Sequence, residues 1–158
     1  MKDAVIICTR NRSDHIDRWL NELTKLPRGP SLVVIVDSNT SQQTYEIVKK
    51  YKEQSETSIE YVRSRSGLPL QRNNGIDFLH KNLEGELPEI VHFLDDDVAV
   101  QSNYFATVNE LFNEFPNAIA VGGFDLNTDI KLSNGVFRRL LLLGSRHMGV
   151  VLRSGICT

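Results

Sequence analysis

Five short apolar runs mark the first 124 residues: AVIICT (4–9), SLVVIVD (31–37), IEYV (59–62), IVHFLD (90–95) and AIAVGGF (118–124). Each is rich in β-branched residues and bounded by polar residues, Pro or Gly, which predicts strands buried in a sheet. Between them the period changes. Ile16, Trp19, Leu20, Leu23 and Leu26 recur at the three-and-four spacing of one helix face, with Ser13 or Asp14 placed to cap the start and Pro27 to stop the end. Tyr104, Phe105, Val108, Leu111, Phe112 and Phe115 repeat that spacing between Ser102, a second expected cap, and Pro116. Weaker helical patterns run over 41–52 and 70–83. Strands alternating with helices predict an α/β fold, a mainly parallel sheet with helices on both faces.

The pattern fades beyond about residue 125. The expected organisation is an α/β domain over 1–124 followed by a basic tail over 125–158. After Asp129 the tail carries Lys131, Arg138, Arg139, Arg146 and Arg153 and no acid. Such a local excess suits phosphates or an anionic membrane surface, or packing against another part of the protein. Over the whole chain, 41% hydrophobic and 24% charged residues are ordinary for a globular domain, and a net charge of −2 supplies no global field to recruit nucleic acid. Any anion site must therefore be local. LLLL at 140–143 is far shorter than the ~20 apolar residues a membrane span needs. Cys8 and Cys157 lack metal-ligand spacing and are expected as reduced thiols, which with the absence of a signal-peptide pattern predicts a cytoplasmic protein. The four histidines are scattered, so packing or surface roles are expected for them.

In an open parallel sheet, ligands bind beyond the carboxyl ends of the strands, so the residues that follow each run carry the chemistry. The first run ends in CTRNRSDH, with Arg10 and Arg12 where a dinucleotide or P-loop fold would place glycines. The second ends in Asp37, followed by Ser38, Asn39 and Thr40; a carboxylate there can accept from a ribose hydroxyl or a base N–H, or cap the next helix. After the third comes RSRSGLPLQRNNGID, a Gly-Pro turn and then Arg72, Asn73 and Asn74. Asn-Asn-Gly is a poor helical sequence, which suggests that the polar run has a task. The fourth run ends in Asp95, Asp96 and Asp97. Three adjacent carboxylates opposite Arg10, Arg12 and Arg72 suit Mn²⁺ or Mg²⁺ and a phosphate, because these cations are held by one or two carboxylates together with substrate phosphate oxygens.

Taken together, VIICTRNR, VIVDSNTS, GLPLQRNNGID and FLDDDV, in this order, resemble the nucleotide-sugar-binding half of an inverting family 2 glycosyltransferase with the GT-A fold, over about residues 4–124. The resemblance implies that Thr9, Arg10, Asn11 and Arg12 wrap the nucleotide of a UDP- or other NDP-sugar. Asp37 would bond the base, and Arg72 would reach the base or diphosphate. Asp95–Asp97 would be the DXD motif, with Asp97 the direct metal ligand and Asp95 or Asp96 serving the ribose and a metal-bound water. Gly122 and Gly123 would lie where acceptor-side loops approach the sugar.

The resemblance further implies transfer of a sugar to a saccharide or lipid-linked saccharide; the basic tail allows peripheral association with the inner face of a membrane, and the net charge predicts no nucleic-acid partner. The family's catalytic base, an Asp or Glu well downstream of the DXD, is not matched: only Asp125 and Asp129 follow Gly123, both too early. The chain ends about where an acceptor half should begin, so the base is expected beyond Thr158, and donor binding without appreciable transfer is expected of these 158 residues. Other classes compatible with the residues are a non-catalytic nucleotide-binding module or subunit, a nucleotidyltransferase, and a phosphotransferase with an aspartyl nucleophile. The last two would normally place a Gly-rich loop or the D-x-D on the first strand.

Overall fold

The computed structural model describes residues 2–83 and 86–122, and the backbone of 149–153. The elements run β1 (Asp3–Thr9), α1 (Ser13–Leu23), β2 (Leu32–Asp37), α2 (Gln43–Gln54), β3 (Ser58–Arg63), α3 (Leu68–Asn82), β4 (Ile90–Asp95), α4 (Tyr104–Glu114), β5 (Ala120–Gly122) and β6 (Gly149–Arg153). One six-stranded sheet has the order β3-β2-β1-β4-β6-β5. β1 to β4 pair in parallel, while β6 is antiparallel to both β4 and β5. The expected α/β class and mainly parallel sheet are found.

The buried runs form the sheet because nearly every residue of β1 and β2 faces a hydrophobic layer on one side or the other. Val5, Ile7, Val33 and Ile35 point to one face, where Ile16, Trp19, Leu20 and Leu23 of α1, Val48 and Tyr51 of α2 and Phe105 of α4 meet them. Ala4, Ile6, Val34 and Val36 point to the other, under Leu79 and Ile76 of α3. Fully burying one such aliphatic side chain stabilises the fold by roughly 1.5–3 kcal/mol, so these two layers are the main source of cohesion.

The connections place the functional end. From β1 the chain moves outward to β2 and β3 with α1 and α2 on one face; it then returns over the opposite face through α3 and sets β4 on the other side of β1. The order therefore reverses between β1 and β4, which opens a crevice at their carboxyl ends.

Several local expectations are corrected. Neither Ser13 nor Asp14 caps α1: both lie inside it, and the N-cap is Arg12, whose side chain is engaged elsewhere. Asn103 rather than Ser102 precedes α4. Within the run at 118–124 the described strand is Ala120–Gly122, starting two residues later than expected, and β6 lies between it and β4. β6 falls within the segment set apart as a basic tail; its position could not be foreseen because a strand is placed by long-range pairing, and its own sequence carries no alternation. Among the described residues no helix is long and apolar enough to cross a membrane. The remainder of the tail, with the LLLL run, His147, Cys157 and Thr158, lies outside the described residues, and so does the catalytic base expected beyond Thr158.

Candidate active site

A cleft of about 380 Å³ opens at the β1–β4 reversal, lined by Cys8, Thr9, Arg10, Arg12, Leu68, Gln71, Asp95, Asp96 and Asp97. A larger hollow of about 480 Å³ lies at the opposite end of the strands, around Lys2, Asp3, Ser31 and Glu86. The first has the convergent charge and stands where ligands bind parallel sheets, so it is the candidate site.

The loop after β1 begins the site. Asn11 has φ 56°, a left-handed conformation that asparagine tolerates better than most residues. In this sharp turn Arg10 and Arg12 reach different partners. Arg10 donates to Ser66 Oγ at 2.8 Å, beside the turn that Gly67 makes at φ 135°. Arg12 donates to Asp96 Oδ1 at 2.9 Å and reaches Asp97 Oδ2 at 3.4 Å.

The three aspartates part company because β4 ends at Asp95 and the chain turns through Asp96 and Asp97, where the Val98 N–H donates to the Asp95 carbonyl at 3.3 Å. Asp95 shares the face of α3: Arg72 approaches it at 3.6 Å and also lies 5.9 Å from the centroid of the Phe93 ring two residues earlier on that face. Asp96 turns the other way and is buried, accepting from Thr9 Oγ1 at 2.7 Å as well as from Arg12. Asp97 follows the end of β4 and its side chain is 56% exposed. The electrostatic conflict of adjacent like charges is thus relieved by divergence, with Arg72 against Asp95 and Arg12 against Asp96 and Asp97.

This arrangement shifts protonation equilibria. Burial raises the Asp95 pKa; Arg72 opposes the rise, while Asp97 and Asp96 add to it. Arg12 is held more firmly protonated by its hydrogen bond to Asp96. The Cys8 thiol, half-buried at the cleft wall, is pushed up to about 11, first by burial, with Arg72 lowering it and Asp95 and Asp96 raising it. It is a neutral wall of the cleft near pH 7, as expected for a reduced thiol.

Asp37 ends β2 with no exposed surface. Its Oδ1 accepts from the Asn39 N–H at 2.8 Å and its Oδ2 from the Tyr61 hydroxyl at 3.3 Å. It caps no helix: α2 starts six residues later, where Ser41 Oγ accepts from the Gln43 N–H at 3.1 Å.

Gln71 belongs to the third motif, where the sequence assigns it no role, yet it ties the site together. Buried on α3, it donates both hydrogens of Nε2, to Thr9 O and to Val36 O, each at 2.9 Å, and so bridges the carboxyl ends of β1 and β2. A signal for it exists in the sequence: Gln71, Gly75 and Leu79 fall four residues apart, which places a polar side chain on the inward face of α3. Thr9 is the matching hub, since its carbonyl also accepts from the Ser38 N–H at 3.1 Å.

Among the described residues no three His, Cys, Asp or Glu side chains converge as a preformed metal cage. Asp97 and the half-exposed Asp95 remain as open oxygen donors at the cleft, whereas Asp96 is committed to Thr9 and Arg12. Two carboxylates with the rest of the sphere left to water and phosphate is a donor set that fits Mg²⁺ or Mn²⁺. Gly122 is exposed at the end of β5; Gly123, Asp125 and Asp129 lie outside the described residues.

The fold is shared with solved glycosyltransferases. A mannosyltransferase of Pyrobaculum calidifontis, solved with GDP-Man and Mn²⁺, aligns over 96% of this chain and 44% of its own, with TM-score 0.68 and 18% identity. Residues 1–349 of TarS from Staphylococcus aureus align over 97% of this chain and 47% of their own, with TM-score 0.66 and 22% identity. In sequence, the poly(ribitol-phosphate) beta-N-acetylglucosaminyltransferase TarS of Staphylococcus aureus is 34% identical over 99 residues, 61% of this chain and 16% of TarS. The glycosyltransferase GlyA of Streptococcus pneumoniae is 24% identical over 123 residues, 78% of this chain and 17% of GlyA. The chain thus matches under a fifth of the length of these relatives. The family model of Glycosyl transferase family 2 matches residues 4–147, and it spans all four strand-end motifs. On that match, carried on a GT-A-like parallel sheet, the chain belongs to glycosyl transferase family 2.

Proposed function

We propose that this chain binds the nucleotide diphosphate of a nucleotide-sugar in the β1–β4 cleft, as the donor-binding part of an inverting glycosyltransferase. The observation that carries the reading is the convergence of Arg10 and Arg12 with Asp95 and Asp97 around one opening, with Arg72 paired to Asp95 behind it. Related structures support it: TarS 1–349 was solved with UDP-GlcNAc and with UDP, and the mannosyltransferase with GDP-Man and Mn²⁺.

In this reading Asp97, with Asp95 beside it, holds Mn²⁺ or Mg²⁺, which when bound would offset charge on the diphosphate. Arg10, Arg12 and Arg72 add fixed positive charge where the leaving phosphate becomes more negative, and such groups accelerate transfer because they act most strongly in the transition state. Asp96 orients Arg12 and ties Thr9 to the loop after β4. Asp37 offers its carboxylate to the base. An acceptor of saccharide type belongs to this reading; the described residues assign no base to activate it.

Titration calorimetry of UDP in the presence and absence of MnCl₂ tests the assignment. Binding that requires Mn²⁺ in the wild type, and is lost in Asp97→Ala while the melting temperature stays unchanged, is the expected result. Equal affinity of wild type and variant in Mn²⁺ would remove Asp97 from the site.

A further inference from the structure

Asp37 presents a conflict that the nucleotide reading must resolve. Its carboxylate has no exposed surface, so a base N–H can reach it only by displacing a group already there. Two groups hold it. The Asn39 N–H at 2.8 Å is fixed by the backbone of the loop that follows β2. The Tyr61 hydroxyl at 3.3 Å is long for an O–H···O bond, whose usual length is about 2.7–2.8 Å. The weaker and more mobile partner is therefore the side chain.

We infer that Tyr61 is a specificity residue of the nucleobase subsite: its hydroxyl occupies Asp37 Oδ2 in the free chain and is exchanged for an N–H of the incoming base. The inference rests on the proposed role of Asp37 and adds the residue that controls access to it. Tyr61 sits on the outermost strand, β3, opposite Ile35, on the same face as Asp37 two residues on. Its ring meets only one aromatic neighbour among the described residues, Tyr45, edge to face at 5.4 Å, and Tyr45 is itself 41% exposed. Rotation of Tyr61 away from Asp37 thus shifts a ring that packs at the margin of the α1–α2 layer, together with its edge contact to Tyr45. Burial keeps the hydroxyl protonated above its ordinary range, and so a donor at neutral pH, although Arg63 nearby pulls the other way.

The exchange has an opposite effect on the two states. Without the hydroxyl, Asp37 Oδ2 is buried and unpaired in the free chain, which destabilises it, but a base no longer competes with an internal donor. Tyr61→Phe is therefore expected to melt at a lower temperature than the wild type without ligand, yet to bind UDP with Mn²⁺ about 3- to 10-fold more tightly, the range set by one modest hydrogen bond. A side chain that only supports the fold would lower both stability and affinity.

The probe pair is UDP and its N3-methylated form, which lacks the imide N–H. Wild-type chain should prefer UDP, and Tyr61→Phe should widen that preference by the same 3- to 10-fold. Equal binding of the two nucleotides by wild type would overturn the base-binding role of Asp37, and the inference with it. A clear wild-type preference for UDP that Tyr61→Phe leaves unchanged or narrows would overturn the role of Tyr61 alone.

Discussion

Neighbouring residues of one type can have unrelated tasks, and Asp95, Asp96 and Asp97 show why. Their type was visible in the sequence, and so was the need for cations opposite them. What each one meets depends on where β4 ends: the strand directs Asp95 toward Arg72, and the turn that follows carries Asp96 toward Thr9 and Arg12. This separates the effects expected of two otherwise similar substitutions. Asp96→Ala leaves the buried Thr9 hydroxyl without its acceptor and should cost about 1–3 kcal/mol. With roughly 2–4 °C per kcal/mol for a chain of this size, thermal melting should fall by several degrees. Asp97→Ala touches an exposed side chain and should leave melting nearly unchanged while metal-dependent binding is lost. Equal melting of Asp96→Ala and wild type would show that the Thr9–Asp96 contact carries no stability.

At the scale of the element, α3 explains a sequence that violates helix propensity. Asn73, Asn74 and Gly75 form a polar run that suggests a single task. The structure gives them separate reasons: Asn73 is exposed, Asn74 donates to Ser64 Oγ at 2.8 Å, and Gly75 lets the helix approach β1. A Cβ at position 75 would stand 2.7 Å from Ile6 Cγ2, so α3 would be pushed away from the sheet. The same helix carries Gln71 and Arg72, so its distance from β1 sets the width of the cleft. Gly75→Ala should gain up to about 1 kcal/mol of helix propensity but lose about 1–3 kcal/mol to overpacking, for a net destabilisation. Removing the opposing Cγ2 in the double variant Gly75→Ala/Ile6→Ala should cost less stability than the sum of the two single variants; a single Gly75→Ala variant that melts above the wild type would refute the close-packing account.

For the whole molecule the decisive feature is strand order. Parallel pairing of β1 with both β2 and β4 creates the reversal at which the cleft opens; the alternation of strands and helices predicts the parallel sheet, and the folded chain fixes its order. The insertion of β6 between β4 and β5 is not predicted in that way, because antiparallel pairing across that distance in sequence depends on the chain's return path. β6 covers what would otherwise be an open edge of β4, one strand from the site, and exposed edges invite association. A chain ending at residue 148 should therefore show faster hydrogen exchange at the β4 amides that face β6 and a greater tendency to aggregate. Unchanged exchange across Ile90–Asp95 would mean that β4 holds its place without β6.

The division between sequence and tertiary structure follows from the range of the interactions involved. Apolar runs, their order, the turn residues and the charges that follow each strand are local properties, so they were sufficient to predict the parallel α/β sheet and to bring Arg10, Arg12, Arg72 and the aspartates to one end of it. Contacts between residues distant in the chain needed the folded molecule: the bridge from Gln71 to Thr9 and Val36, the cover of Asp37 by Tyr61, the divergence of three adjacent carboxylates, and the place of β6. These are fixed by strand register, by the face α3 turns to the sheet and by the turn that ends β4, and a slip of one residue in a strand would send its side chains to the opposite face.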